Sequence, residues 1–279
     1  MSPRRVMRAI SHLGWAGLTV GAATVVIGPL VWALSTSLKR ENAIFAVPPR
    51  LVPDPFTIRH YARLIEEGIG VNVVNSAMNT LAAVALALAL GTLAGYAFAR
   101  FHFPAKRIVL LLFLGSMAVP SYCLLLPTQL LFFRIGLFDT KAALVVLYTA
   151  HVVPFIIWIT RAHFLTVPRD IECAAYVDGY SRWATLWRVV LPGARPALIA
   201  GGTLALLYAW NDYITATTMI YAPKNRTLPV ALIFFMGFRG RDWGALMAGI
   251  VIATLPPLAA FLAFRRYLIG GFASGAVKG

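Results

Sequence analysis

The chain has 279 residues, of which 59% are hydrophobic and 13% are charged, and its formal net charge is +15. A water-soluble domain carries about 25% charged residues, so this composition excludes an ordinary soluble protein. Because the basic residues are scattered between long apolar segments, the positive charge indicates membrane topology and not a nucleic-acid-binding surface. We therefore expect no nucleic-acid partner.

Six apolar segments follow one another along the chain. The length of each is close to that of a membrane-spanning helix, about 20 residues. Their continuous apolar character favours helices over a β-barrel, whose strands alternate. We predict an all-α membrane protein that forms one domain over residues 1–279. The six transmembrane helices are predicted at about 13–34, 73–98, 108–132, 143–160, 197–219 and 245–264.

The first three predicted spans differ in how they begin and bend. The first is too long for a signal peptide and lacks a small-residue cleavage site, so we interpret it as a membrane span. The second starts with polar residues between Asn75 and Thr80, which fit a polar helix entry better than an outer gate. Pro120 and Pro127 are expected to kink the third span, because proline removes a backbone donor.

Between the fourth and fifth predicted spans lies a polar, basic loop of residues 161–196. Pro168 suits the first turn of a helix, and Gly179 supplies a turn after it. Ser181 can cap a second helix, which Pro192 is expected to end. Such a pair of amphipathic helices fits either a position on the lipid surface or a protein-docking element. The second helix would carry one apolar stripe at spacings of three and four, formed by Trp183, Leu186, Trp187, Val190 and Leu191.

The distribution of charge predicts which segments lie in the cytoplasm. The 161–196 loop, the short turn after the second span and both termini hold most of the lysine and arginine residues. The same segments contain only three acidic residues, Asp170, Glu172 and Asp178. The excess of basic residues in the cytoplasmic segments of membrane proteins therefore places both termini in the cytoplasm.

Two ionisable residues lie inside predicted spans, where a charge is costly and a functional role has to be weighed. Asp212, in the segment AWNDYIT, either lines a translocation path or holds a neighbouring helix by hydrogen bonds, and we favour the second role. His151, in the fourth predicted span, is expected to be structural.

Sequence motifs for enzyme chemistry are absent from the chain. No lysine follows a glycine, which excludes a Walker A loop, and neither HExxH nor GxSxG occurs. Cys123 and Cys173 offer no metal-ligand spacing and are not expected to form a disulfide. We predict no catalytic residue, no metal site and no cofactor in this chain.

The segment CAAYVDGYSRWATLWRVVLPGARP resembles the conserved cytoplasmic loop of bacterial ABC importer permeases. That pattern is EAA, two residues, DG, and then LP after about a dozen residues. Other segments, among them VNSAMNTL, WNDYITA and RTLPVAL, resemble the carbohydrate-importer branch of maltose-transporter-like permeases, which have six spans. The residues of this chain that match the loop pattern are Ala174, Ala175, Asp178, Gly179, Leu191 and Pro192.

The resemblance implies a type I ABC importer permease fold in the bacterial plasma (inner) membrane, surrounded by lipid. Such a permease pairs with a second, homologous permease and forms half of the translocation path. A dimer of ATPases binds ATP and Mg²⁺, and an extracytoplasmic binding protein delivers the sugar. Residues 168–192 would form the coupling helices that dock on one ATPase. The sequence does not indicate which sugar or polyol is carried.

One departure from the family pattern lies in this loop. The glutamate of EAA falls on Cys173, whereas Glu172 stands one position earlier, about 100° away around a helix. Either Glu172 turns to make the contact with the ATPase, or this subunit docks without that contact. Alternative functions are a membrane scaffold or receptor that uses the loop only for binding, and an intramembrane enzyme. The candidate residues of the translocation path are Asn75, Tyr208, Trp210, Asn211 and Asp212.

Overall fold

The computed structural model of the chain describes residues 3–237 and 242–276, and within these ranges the protein is helical. The described residues form no β-strand and a single isolated β-bridge, between Lys39 and Phe56. The prediction of an all-α protein is therefore confirmed. Backbone contacts group the chain into two compact units, Met1–Ile69 with Leu232–Thr254 and Gly70–Ala231 with Leu255–Gly279. The single permease domain over 1–279 stays a prediction.

The helices follow one another with short connections. The first seven are α1 (Pro3–Ser37), α2 (Glu41–Ile44), α3 (Arg59–Glu66), α4 (Ile69–Arg100), α5 (Lys106–Ala118), α6 (Ser121–Arg134) and α7 (Lys141–Thr166). The next three are α8 (Arg169–Val177), α9 (Arg182–Thr185) and α10 (Leu191–Gly193), with a π-helical turn, Leu186–Val190, between the last two. The remaining helices are α11 (Arg195–Asn211), α12 (Ile214–Met219), α13 (Leu228–Gly237) and α14 (Trp243–Ala276), with a 3₁₀ turn at Pro223–Asn225.

Four helical segments of the described chain are long and apolar enough to cross a membrane. They are Gly14–Ser37, Ile69–Arg100, Lys141–Thr166 and Trp243–Leu268. Two further candidates are bent pairs of helices: Lys106–Ala118 with Tyr122–Arg134, at 104°, and Arg182–Gly193 with Arg195–Asn211, at 76°. The number of spans thus reaches the predicted six only if each bent pair counts as one.

Proline explains the break between α5 and α6. Val119 and Pro120 both have extended backbone, with ψ of 120° and 121°. A proline pushes the residue before it out of the helical region and lacks an N–H group of its own. Pro127 and Pro154, by contrast, lie inside α6 and α7. Of the two prolines expected to kink the third span, Pro120 therefore breaks the helix and Pro127 does not.

Glycine brings α4 and α7 into close contact. Gly91 and Gly95 are one helical turn apart on α4, and a Cβ atom on either would overlap a side chain of α7, Ile156 or Thr160. Small residues at this spacing let two helix backbones approach each other in a membrane. Thr160 Oγ1 also lies within hydrogen-bond distance of the Gly91 carbonyl, at 3.3 Å. The contact positions α4 beside the helix from which the 161–196 loop continues.

Candidate functional site

The 161–196 loop folds as two helices joined at a glycine, as the sequence predicts. Pro168 precedes α8, and Gly179 follows it with a φ of +86°, a left-handed conformation that favours glycine. The side chain of Ser181 accepts a hydrogen bond from the Ala184 N–H at 3.2 Å and so caps α9. The turn and both helix starts therefore lie where these local sequence signals predict them.

The second helix of the loop ends within one residue of the predicted position. Pro192 lies in its last turn, because α9, the π-turn and α10 run without a gap to Gly193. A proline inside an α-helix clashes with the carbonyl four residues earlier, and a wider π-turn before it relieves that clash. Pro192 itself is exposed, and Leu191 is half-buried against the core beneath the loop.

Glu172 points into the protein and is paired there. Glu172 is 5% exposed, and its Oε1 accepts a hydrogen bond from Arg100 Nε at 2.5 Å. The Tyr96 hydroxyl donates to Glu172 Oε2 at 2.9 Å, and Arg100 Nη2 donates to the Val167 carbonyl at 2.9 Å. Glu172 therefore joins α8 to the end of α4 through a buried ion pair.

The opposite side of α8 is exposed. Cys173, Ala174 and Val177 are solvent-accessible, and Val177 is 88% exposed. At 100° per residue these three positions lie on the side of the helix opposite to Glu172 and the buried Ala175. Glu172 and Cys173 are the two positions considered from the sequence for a contact with the ATPase. Of these, Cys173 lies on the accessible side of α8.

The second helix is divided in the same way. The predicted single stripe is wrong, because Leu186 and Val190 are buried whereas Trp183 and Trp187 are largely exposed. The buried pair packs with Tyr96 of α4, and the core beneath the loop also contains Ala99, Phe164 and Ala194. We call the exposed set the outer face of the loop: Cys173, Ala174, Val177, Trp183 and Trp187. Asp178 and Gly179, in the turn between the helices, are also exposed.

A cavity of about 210 Å³ lies among helices of the second compact unit. The His151 and Tyr208 rings stack in it with parallel planes, 4.4 Å between centroids and 4° apart. His151 and Tyr208 also line a second cavity, of about 260 Å³. The polar groups of the first cavity include Ser116, Thr128, Tyr148 and Thr215.

Asp212 breaks the predicted fifth span and holds the broken ends together. It has extended backbone, with ψ of 124°, between α11 and α12. Its carboxylate accepts hydrogen bonds from Tyr148 Oη at 3.0 Å, Thr215 Oγ1 at 2.9 Å and the Ala216 N–H at 3.0 Å. These contacts join Asp212 to Tyr148 of the neighbouring helix α7, as the holding role requires, and the choice between that role and a place in the translocation path stays a prediction.

The other predicted path residues have different surroundings. Asn75 is buried and donates to the carbonyls of Lys224 and Arg226 at 2.8 and 3.0 Å, so it holds the segment before α13. Trp210 is buried, and Asn211 is exposed and donates to the Leu207 carbonyl at 2.9 Å. Among the five predicted residues, Tyr208 is the one that lines the cavities.

Sequence reasoning missed Arg100 and Tyr96 as partners of the loop. Both lie at the end of a charge-free apolar run, and Arg100 is the first basic residue after it. An arginine at that position is ordinarily assigned to topology alone. His151 was expected to be structural, and its stacking on Tyr208 gives it a place in the cavity lining.

The chain combines helices long and apolar enough to cross a membrane with a loop of two short helices that a buried ion pair anchors. Residues 87–271 match the family described as "Binding-protein-dependent transport system inner membrane component". The chain belongs to this family and is an ABC transporter permease of the inner membrane.

Individual relatives agree over nearly the whole chain. The "Probable ABC transporter permease protein YurM" of Bacillus subtilis is 31% identical over 90% of this chain and 83% of its own length. The "Trehalose transport system permease protein SugB" of Mycobacterium tuberculosis is 31% identical over 95% of this chain and 97% of its own. A solved bacterial ABC transporter that imports alginate superposes with a TM-score of 0.81 at 20% identity, over 96% and 98% of the two chains. That likeness shows the permease fold.

Proposed function

We propose that this permease imports a sugar and works with a second, homologous permease and a pair of ATPase subunits. An extracytoplasmic binding protein delivers the sugar, and the two permeases enclose the path. The family description and the trehalose-transporting relative support this assignment. A di- or oligosaccharide is the substrate class that we propose.

The outer face of the loop is the proposed docking surface for one ATPase. It combines two tryptophans, a valine and the polar edge of the turn at Asp178, a mixture suited to helix-in-groove docking. In this proposal, ATP and Mg²⁺ bind on the ATPase. One observation supports this proposal above all. The outer face lies on the side of α8 opposite to Glu172, which forms a buried ion pair with Arg100. A push on the outer face would move α8 and α4 together, as a rigid coupling requires.

The cavity beside His151 and Tyr208 is the proposed contribution of this chain to the translocation path. Aromatic faces suit the apolar faces of a sugar ring, and Tyr208 presents its ring next to several hydroxyl groups. Asp212 and Tyr148 keep the helix break next to this cavity in place. Asn75, Trp210 and Asn211 lie outside the lining of this cavity.

The proposed orientation places both termini and the 161–196 loop in the cytoplasm. The loop carries five arginines, Arg161, Arg169, Arg182, Arg188 and Arg195, against three acidic residues. An excess of basic residues favours the cytoplasmic side. The segment between α1 and α4 then lies on the extracytoplasmic side.

Purification and uptake test the proposal together. The tagged chain, expressed with its candidate second permease and ATPase, should retain both through purification and support uptake of labelled trehalose or maltose in proteoliposomes. Tyr208→Ala should raise the KM for transport, whereas Tyr208→Phe, which keeps the ring, should stay close to the parent. A chain that retains neither partner contradicts the assembly, and an unchanged KM in Tyr208→Ala contradicts the path.

A further inference from the structure

Lys39 is a buried cation held in place just beyond the first membrane span. Helix α1 ends at Ser37, and Lys39 is 2% exposed. Its carbonyl lies 2.8 Å from His60 Nε2, a hydrogen bond in which the imidazole donates, and its backbone also bridges to Phe56. Both contacts hold the backbone of Lys39 at this position.

The ammonium group of Lys39 lies against an aromatic ring. Its Nζ lies 4.5 Å from the centroid of the Trp32 ring, a cation–π contact. Within the described ranges of the chain, the Lys39 ammonium forms no ion pair with a carboxylate. Burial lowers the pKa of Lys39. A buried charge without a counter-charge is costly, so this group would be stabilised by an anion that reaches it.

A small cavity gives such an anion room beside Lys39. Its volume is about 100 Å³, below the about 300 Å³ at which drug-sized ligand pockets begin, so it suits one small group. Arg50 adds a second positive charge to its wall. Asp54 also lines the cavity, but its carboxylate lies 3.9 Å from Arg50 Nη1 and is partly neutralised there. The wall is otherwise apolar, and its net charge is positive.

The location of the cavity identifies the class of ligand. Trp32, on the last turns of the span, is partly exposed, and tryptophan is typical of the layer where lipid headgroups lie. Lys39 follows the end of that span by two residues, which is the level of phosphate groups. We propose that the cavity beside Lys39 binds the phosphate of an anionic phospholipid headgroup in the leaflet opposite the N-terminus. The acyl chains would lie along the exposed apolar surface of α1. This site does not depend on which substrate the permease carries.

Native mass spectrometry of the purified full chain tests this site. Phosphatidylglycerol, phosphatidylcholine and inorganic phosphate are added separately to the detergent-solubilised protein. We expect phosphatidylglycerol adducts to fall at least about fivefold in Lys39→Gln and to return in Lys39→Arg. The matched control is Arg40→Gln, which removes the same charge from the exposed neighbouring position and should keep the adducts.

A melting experiment keeps the test independent of how well Lys39→Gln folds. Phosphatidylglycerol should raise the Tm of the parent chain more than phosphatidylcholine does, and this difference should disappear in Lys39→Gln. Equal binding of phosphatidylglycerol by the parent and Lys39→Gln would overturn the site. Displacement of phosphatidylglycerol by millimolar inorganic phosphate would overturn the lipid assignment, because the anion alone would then occupy the cavity.

Discussion

Arg100 Nε donates a hydrogen bond to Glu172 Oε1 across 2.5 Å, and both side chains are less than one tenth exposed. The pair joins residues 72 positions apart in the chain, one at the end of α4 and one on α8, the first helix of the 161–196 loop. The Tyr96 hydroxyl donates a further hydrogen bond to Glu172, and Arg100 donates one to the Val167 carbonyl. Glu172 therefore belongs to the fold of the permease itself and not to its outer face.

Removal of one member of this pair leaves the other buried without a counter-charge. Glu172→Gln is therefore expected to destabilise the chain by about 3–5 kcal/mol, the range typical of broken buried ion pairs. Melting in detergent measures this loss. Asp170→Asn removes an exposed carboxylate from the same helix and should change stability by less than about 0.5 kcal/mol. Equal Tm values for the two variants would show that the pair is not important for stability.

A charge on the outer face should affect docking without affecting folding. Val177→Asp is expected to reduce retention of the ATPase during purification by at least about fivefold, because an apolar contact is replaced by a solvated carboxylate. Its Tm should remain close to that of the parent, since Val177 is almost fully exposed. The matched variant is Val190→Asp, which places the same charge in the core beneath the loop and should destabilise the chain. Full ATPase retention by Val177→Asp would contradict the docking surface.

The turn between the two loop helices depends on a left-handed residue. Gly179→Pro is expected to abolish sugar uptake while membrane insertion persists, because proline cannot adopt a φ of +86°. Gly179→Asn should retain much of the uptake, since asparagine tolerates this region better than other residues. Uptake per inserted chain, with insertion measured by immunoblot of membranes, is the measurement. Ala174→Asp, on the outer face, is expected to uncouple transport in the same way, and normal uptake in both Gly179→Pro and Ala174→Asp would contradict the coupling role.

Asp212 holds a helix break, so its replacement should act mainly on stability. Asp212→Asn is expected to cost about 0.5–2 kcal/mol, the range found when a helix loses its capping side chain. Tyr148→Phe removes one of the same hydrogen bonds and should show part of the loss. Kinetics of uptake separate the two roles of Asp212. A lower Tm with an unchanged KM supports the holding role, whereas a raised KM with an unchanged Tm would place Asp212 in contact with the sugar.

Local features of the loop were predictable from sequence, and its long-range contacts were not. Gly179 and Ser181 act on their immediate neighbours, so the turn and the second helix start follow from short segments. The orientation of Glu172 depends on its ion pair with Arg100, and the sequence of the loop does not indicate that partner. A hydrophobic period likewise cannot tell Leu186, which packs on Tyr96, from Trp187, which does not.

The breaks in the predicted membrane spans were likewise not predictable from the local sequence. The apolar run around Asp212 looks continuous in sequence, but the structure breaks it where the carboxylate meets Tyr148 and the start of α12. Pro120 breaks its helix and Pro154 does not, although both are prolines in apolar segments. Pro127 also lies inside its helix although it is exposed, so a proline in an apolar segment does not by itself predict a helix break.

Cross-linking from the 161–196 loop to the ATPase tests whether the outer face is the docking surface. In a Cys123→Ser background, Cys173 is compared with a second variant in which Glu172→Cys is combined with Cys173→Ser. Each chain is assembled with an ATPase that carries a single cysteine at its docking cleft, and the disulfide-linked product is measured on non-reducing gels. We expect strong cross-linking from position 173 and little from position 172. Strong cross-linking from position 172 together with none from position 173 would contradict the proposed docking surface.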